Sequence, residues 1–488
     1  MKKRESALLK KKKLPAVPTT EGLFKYFITF FLSSLFICII FAAASGGDSW
    51  KMMLFHSGKY TDMFMDFFNS IRDGGSPNVY SERNNIYPPL CILIFRLFSK
   101  LINPDLVSSH FKNRTWLQMD ELCMMIYFLF AIICILSLCR LIESYINIKN
   151  DKKFKLHAAI ISFLAIISYP VMFCLERGNI LILSVVFAMF FIFFKDSPNP
   201  IIREMSYIAL ACSAGIKLYP AVFGLILIIE KKYKEAVRLM IYGVIIVVFP
   251  IIFFIDDFGA KTAAVSSLLN ISAANVANEE TASVLMKILK NLLSFATNKK
   301  SSLNFSSVSV QNFIYMLRPA NANSIAKSVC AITEGIALVC AFATRSNWKR
   351  VFLLCYLMLN IPSASNSYAL SFLLIPFIMF LFGNEERKKS DRFFIGAFAI
   401  LLTPLPTFWY YYQNAVADFT RSLGIGYNTQ LNQYMSTFVF QAIFVVLASQ
   451  IIYSFIKEQK RSKKDKVTVT TESAAEIPAE SEKEESAE

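Results

Sequence analysis

Histidine is nearly missing from this chain: the 488 residues hold three, His56, His110 and His157, too scattered to define a metal site. The ten cysteines (Cys38, Cys91, Cys123, Cys134, Cys139, Cys174, Cys212, Cys330, Cys340 and Cys355) include no CxxC pair. All fall in apolar segments, which argues against a disulfide or zinc framework and leaves them as buried fillers. Charged side chains are scarce at 18%, against 55% hydrophobic, too little polar material to coat a soluble globule of this size. No internal repeat and no soluble catalytic domain is present. The basic N-terminus MKKRESALLKKKKLPAVPTT lacks a small-residue cleavage pattern and leads into an apolar run of full spanning length, so it reads as a retained anchor rather than a removed signal peptide.

What is present is a succession of apolar runs from Leu23 to Ile456, among which runs of the roughly 20 residues a helix needs to cross a bilayer recur. These predict an all-α, polytopic transmembrane bundle of about 10–12 membrane helices or half-helices. The formal charge of +16 resides in short loops and at the two ends, where Lys and Arg orient a membrane protein toward the cytoplasm. The charge therefore reports topology, and nucleic acid is not expected as a partner. Residues 1–22 read as a basic cytoplasmic N-terminus and 23–456 as the transmembrane domain. Within that domain 46–89 is a first outer loop with an interfacial helix, and 256–324 a large outer loop. The polar tail 457–488 reads as disordered and cytoplasmic.

The first long polar interruption is YTDMFMDFFNSIRDGGSPNVYSERNNIYPPL, from Tyr60 to Leu90. Asp62 and Asp66, four residues apart, share one face if this run is helical, with Met63, Phe67 and Ile71 forming an apolar side suited to a membrane surface. The run breaks at Asp73-Gly74-Gly75-Ser76-Pro77 and turns back toward lipid through Tyr87-Pro88-Pro89. Further on, Ala158 to Cys174 and Ile180 to Phe194 read as spans joined by an outer turn, Glu176-Arg177-Gly178-Asn179. Met205 to Ile229 has basic residues at both flanks, with Gly215, Lys217 and Pro220 in its middle. Two half-helices meeting at Lys217 satisfy both features.

This threading brings Asp62, Asp66, Glu176, Arg177, Asn179, Lys217, Gln311, Asn312, Ser365 and Asn366 to one, non-cytoplasmic side. A cation at membrane depth is costly unless paired or wet. Lys217 is therefore either a counter-charge holding the fold or a contact for an anionic headgroup such as a phosphate, with Arg177 as a second. For Glu176 the simpler reading is a salt bridge to Arg177 or Lys217. Sugar transfer from a lipid phosphate needs a carboxylate to take the acceptor proton and a cation to steady the leaving phosphate. Tyr80, Tyr87, Trp409 and Tyr410 to Tyr412 are candidate aromatic faces for a sugar, although such residues also mark lipid interfaces.

Asp62 in TDMFMDFF, Tyr87-Pro88-Pro89, Gly178-Asn179 in ERGNILIL, and Lys217 with Pro220 in AGIKLYP occur in an order that resembles glycosyltransferase family 87. That family comprises polytopic enzymes using polyprenyl-phosphate sugars. The resemblance runs from about Leu23 to about Phe382, and its most specific piece is AGIKLYP paired with ERGN. It implies the GT-C fold, inverting transfer on the extracytoplasmic side, Asp62 as general base and Asp66 as runner-up. It further implies a hexose donor, by family habit mannose, on a polyprenyl phosphate, and a glycolipid or glycan acceptor. Lys217 and Arg177 would hold the phosphate, while Tyr87, Asn179, Gln311 and Asn366 would contact the sugar. The expected cell location is the plasma membrane of a bacterium. No cofactor is fixed, no metal ligand is assigned, and a divalent ion is left open. Two segments depart from the family: IPSASNSYAL stands where relatives carry histidines, and SVSVQNFIYMLR replaces a Gly-Asn-Gln-Ser segment. Two other classes stay open at this level, a lipid or glycan flippase gated at Lys217 and a noncatalytic assembly subunit.

Overall fold

A computed structural model describes residues 17–47, 50, 63–80, 85, 87–102, 115–149, 154–254, 256–257, 309–310, 313–314, 322–360, 367–405 and 431–475. The candidate residues Asp62, Gln311 and Asn366 lie outside these, as do Ser365, Asn312 and Trp409 to Tyr412.

The described chain is all-α. Helix α1 (Thr20–Ala44) opens on Thr19, whose hydroxyl accepts from the Gly22 amide and so fills one of the open donors of the first turn. Then come α2 (Met65–Gly74), α3 (Pro89–Leu101), α4 (Glu121–Lys149), α5 (Lys155–Ile166), α6 (Tyr169–Glu176), α7 (Leu181–Phe194) and α8 (Pro200–Ile216). A 3₁₀ turn, Tyr219–Gly224, leads to α9 (Leu225–Ile229) and α10 (Tyr233–Gly243). The second half holds α11 (Ala322–Ala343), α12 (Asn347–Asn360), a 3₁₀ turn Ser367–Leu373, α13 (Leu374–Phe382), α14 (Asp391–Leu402) and α15 (Leu431–Ala475).

Among the described residues, Thr20–Ala44, Glu121–Lys149, Tyr233–Phe254 and Met435–Gln459 are long and apolar enough to cross a membrane, and α5 with α6 makes a fifth span bent by 46°. The bend falls within the span expected over Ala158 to Cys174. Pro170, in the first turn of α6, has no amide to continue the hydrogen-bond ladder of α5, and Ser168 before α6 is extended. The expected break at Lys217 is present: α8 stops at Ile216 and Lys217 adopts extended backbone, φ −141°, ψ 124°. The last helix continues to Ala475, past the start of the tail segment at 457.

Side-chain distribution follows a bilayer rather than water. Phe36, Ile39 and Ile40 of α1 and Phe128, Ile132, Ile133 and Leu136 of α4 are exposed, while Phe352, Tyr356, Phe377 and Phe398 fill the interior. Tyr356 stacks on Phe444 at 4.0 Å, joining α12 to α15. Between lipid-immersed helices, hydrogen bonds and close packing replace hydrophobic exclusion as the adhesive. Ser184 of α7 and Ser213 of α8 lie 2.8 Å apart through their hydroxyls, and Ser213 also donates to the Ser184 carbonyl at 2.8 Å.

The helix ends gather charge at one pole. Lys195, after α7, bonds Asp196 at 2.6 Å and Glu230 at 2.6 Å, and Lys232 bonds Glu230 at 2.7 Å. Glu385 accepts from the Asn347 amide at the start of α12, and Arg387 reaches Thr20 of α1 at 2.9 Å. These contacts tie α1, α7, α9, α10 and α12 together at the end away from Asp66 and Lys217.

Candidate active site

Four backbone hydrogen bonds build the site. Helix α6 ends at Glu176; Gly178 follows with φ 64°, its amide bonding the Leu175 carbonyl at 2.9 Å and the Asn179 amide bonding Cys174 at 3.0 Å. This paired closure of a helix C-terminus needs a residue at ease with positive φ. The carbonyls of Glu176 and Arg177 then accept the amides of Phe64 at 2.7 Å and Asp66 at 2.9 Å. The C-terminus of α6 thus docks onto the N-terminus of α2, where open carbonyls and open amides satisfy each other. A methyl group on Gly178 would meet the Phe64 carbonyl oxygen at 2.9 Å and the Phe67 Cβ at 2.9 Å.

Because the two backbones are joined, their side chains meet. Arg177 Nη2 lies 3.2 Å from Asp66 Oδ1, and Asn179 Nδ2 donates to Asp66 Oδ2 at 2.7 Å. Arg177 therefore pairs with Asp66; the salt bridge expected in sequence was one from Glu176 to Arg177 or Lys217. Asn179 turns its other amide atom inward, Oδ1 accepting the Leu181 amide at the start of α7, and its Nδ2 lies 3.5 Å from the Tyr87 hydroxyl. Lys217 completes the group: its ammonium sits 4.0 Å from the centre of the Tyr87 ring and makes no ion pair among the described residues. A ring face holds a cation without neutralising it.

Of the residues singled out in sequence, Asp66, Tyr87, Arg177, Asn179 and Lys217 are brought together, while Asp62, Gln311 and Asn366 are outside the described residues. Of the three residues expected to form an apolar side on a membrane surface, Met63 is exposed, whereas Phe67 and Ile71 face inward. Phe67 and Ile71 are fully buried, Phe67 against Phe95 of α3 at 5.4 Å and Tyr127 of α4 at 5.2 Å. Sequence reasoning missed two residues of the site. Tyr368, 5.9 Å from the Phe173 ring, lies close enough to Asp66 and Arg177 to interact with both charges. Tyr219 follows within the same electrostatic reach of Tyr368. Only their positions beside the altered Ser367-Tyr368 turn and in KLYP hinted at them. No group of three or more His, Cys, Asp or Glu side chains among the described residues is placed to hold a metal.

Broken helices, a bent span and a polar cluster at one end of an apolar bundle define an integral membrane protein. Residues 85–362, more than half of the chain, match glycosyltransferase family 87. The chain belongs to that family and is a membrane glycosyltransferase. The match takes in Tyr87, Arg177, Asn179 and Lys217; Asp62 and Asp66 lie 23 and 19 residues before its start and Tyr368 six after its end. No curated protein and no solved structure matches the chain.

Proposed function

We propose that the protein transfers a hexose, mannose by family resemblance, from a polyprenyl phosphate to a hydroxyl of a glycolipid or glycan on the outer side of a bacterial plasma membrane. The observation that carries this reading is the meeting of a hydrogen-bonded carboxylate with a cation free of any ion pair among the described residues: Asp66 with Arg177 and Asn179, beside Lys217 on the Tyr87 ring. In the reaction, a carboxylate takes the acceptor hydroxyl proton as the oxygen attacks the anomeric carbon. The carbon–oxygen bond to phosphate breaks, its electron pair leaves with polyprenyl phosphate, and the configuration inverts.

Asp62 is the proposed base. It precedes by two residues Phe64, whose amide is fixed to Glu176, and Asp66 is occupied in holding Arg177 and Asn179. Lys217 meets the charge that develops on the departing phosphate, which is where a preorganised cation lowers a barrier. Arg177, already ion-paired, is the second phosphate contact when the donor is bound, and Asn179 and Tyr87 orient sugar hydroxyls together with Gln311 and Asn366.

The test is transfer of radiolabelled sugar from defined polyprenyl phosphates to membrane lipids by the purified protein. Asp62→Asn is expected to lower turnover at least about 100-fold with donor binding retained, the loss expected of a general base. A fully active Asp62→Asn protein refutes the assignment, and loss of turnover only in Asp66→Asn transfers the role to Asp66.

A further inference from the structure

Tyr87 is held from both sides of its main chain by groups that never enter the pocket. Its amide donates to Asn85 Oδ1 at 2.8 Å, and its carbonyl accepts the Tyr80 hydroxyl at 3.0 Å. The other end of the Asn85 amide donates to Asp73 Oδ2 at 3.0 Å, and Asp73 Oδ1 receives Arg72 through Nε at 3.2 Å and Nη2 at 3.0 Å. Tyr80 in turn is anchored by its own amide to Asp257 at 2.6 Å. Asp73 and Asn85 are each 8% exposed. The Asp73 carboxylate allows only one orientation of the Asn85 amide, nitrogen toward Asp73 and oxygen toward Tyr87. That orientation fixes the Tyr87 backbone, Pro88 restricts it further, and the ring that carries Lys217 follows.

We infer that Asp73 and Asn85 are positioning residues for the Lys217 cation, acting through the main chain of Tyr87. The inference rests on the reading of Lys217 as the donor-phosphate contact, and it extends the functional machinery to a pair of residues remote from the pocket. The alternation of donors and acceptors makes it testable by exchange. Asn85→Asp sets two carboxylates face to face, and Asp73→Asn sets two amide nitrogens face to face or turns one toward Arg72. The double variant, Asp73→Asn with Asn85→Asp, restores every partner: residue 85 accepts from Tyr87 and from residue 73, whose oxygen accepts from Arg72.

The experiment uses the full-length protein in detergent and two readouts. One is the rate at which a water-soluble acetylating ester modifies Lys217, followed by peptide mass spectrometry; the other is KM against kcat for a polyprenyl-phosphate sugar. Each single variant is expected to acetylate Lys217 about fivefold faster and to raise donor KM about tenfold, with kcat nearly unchanged, as the ring moves off the cation. The double variant should return both to the parent values. Tyr80→Phe, which removes one hydroxyl, gives a milder change in the same direction and serves if a single variant fails to fold. Folded single variants with parental Lys217 reactivity overturn the inference, as does a folded double variant that recovers neither readout. If Lys217→Met leaves donor KM untouched while the acetylation pattern holds, the donor reading fails and the positioning role stands.

Discussion

Lys217 and Arg177 are both cations of one side-chain cluster, yet their surroundings differ. Arg177 is committed to Asp66, and the side chains of that pair are 14% and 17% exposed, so its charge is largely answered before any ligand arrives. Lys217 lies over an aromatic ring and makes no ion pair among the described residues; the ring attracts an ammonium through its quadrupole but leaves the positive charge available. On the proposed function, an incoming donor phosphate meets Lys217 first. Lys217→Met keeps length and packing and removes the charge; donor KM is expected to rise about tenfold, the worth of one charge-assisted contact. An unchanged donor affinity in that variant counts against the role.

At the scale of elements, the site is a junction of helix ends rather than a set of residues on one helix. The α6 C-terminus bonds the α2 N-terminus, Asn179 starts α7, and Lys217 ends α8. The junction depends on Gly178, whose φ of 64° and contact with Phe64 leave no room for a side chain. Gly178→Ala is expected to destabilise the protein by about 3 kcal/mol, summing the cost of left-handed backbone for alanine with that of displacing Phe64. It should also separate Asp66 from Arg177, so thermal unfolding in detergent and sugar transfer should fall together. A variant that keeps parental stability would show that α2 is held by other contacts.

For the molecule as a whole, charge at the pole remote from the site ties the bundle. Burial alone would raise the Asp196 carboxyl, but Lys195 and Lys232 outweigh it and hold the group below its ordinary value. Burial likewise opposes the charge on Lys232, yet bonds to Asp196 and Glu230 lift its pKa above the usual lysine range. A depressed carboxyl stabilises the fold above the ordinary carboxylate value and loses that contribution as pH falls through its lowered one. A raised lysine stabilises below the ordinary lysine value and loses that contribution only as pH climbs through its elevated one. The cluster's stabilisation should therefore be level between about pH 5 and about pH 9. The difference in unfolding temperature between parent and Asp196→Asn is expected to stay constant across that range and shrink in stronger acid; a difference that varies between pH 6 and 8 contradicts this. The basic pole should also lie inside the cell. In intact cells a membrane-impermeant maleimide is expected to label Gly75→Cys, near the site, and spare Asn384→Cys at the opposite pole; the reverse pattern would place the pocket in the cytoplasm.

The sequence by itself determined the class and the outline. Apolar runs of spanning length require helices, since backbone polar groups in lipid must be satisfied within the segment, and Lys217 with Pro220 marked a broken helix. The family likeness was legible because Tyr87-Pro88-Pro89, Gly178-Asn179 and Lys217 keep their order along the chain. Only the tertiary structure decided which charges are paired. Arg177 reaches Asp66 across 111 positions, because two helix ends share backbone hydrogen bonds that no local pattern encodes. The inward face of α2, the placing of Tyr368 and Tyr219, and the hold of Asp73 and Asn85 on Tyr87 are of the same kind. Periodicity tells which residues are apolar, whereas a partner's position depends on how the remaining helices pack, and that packing is the property of the folded bundle.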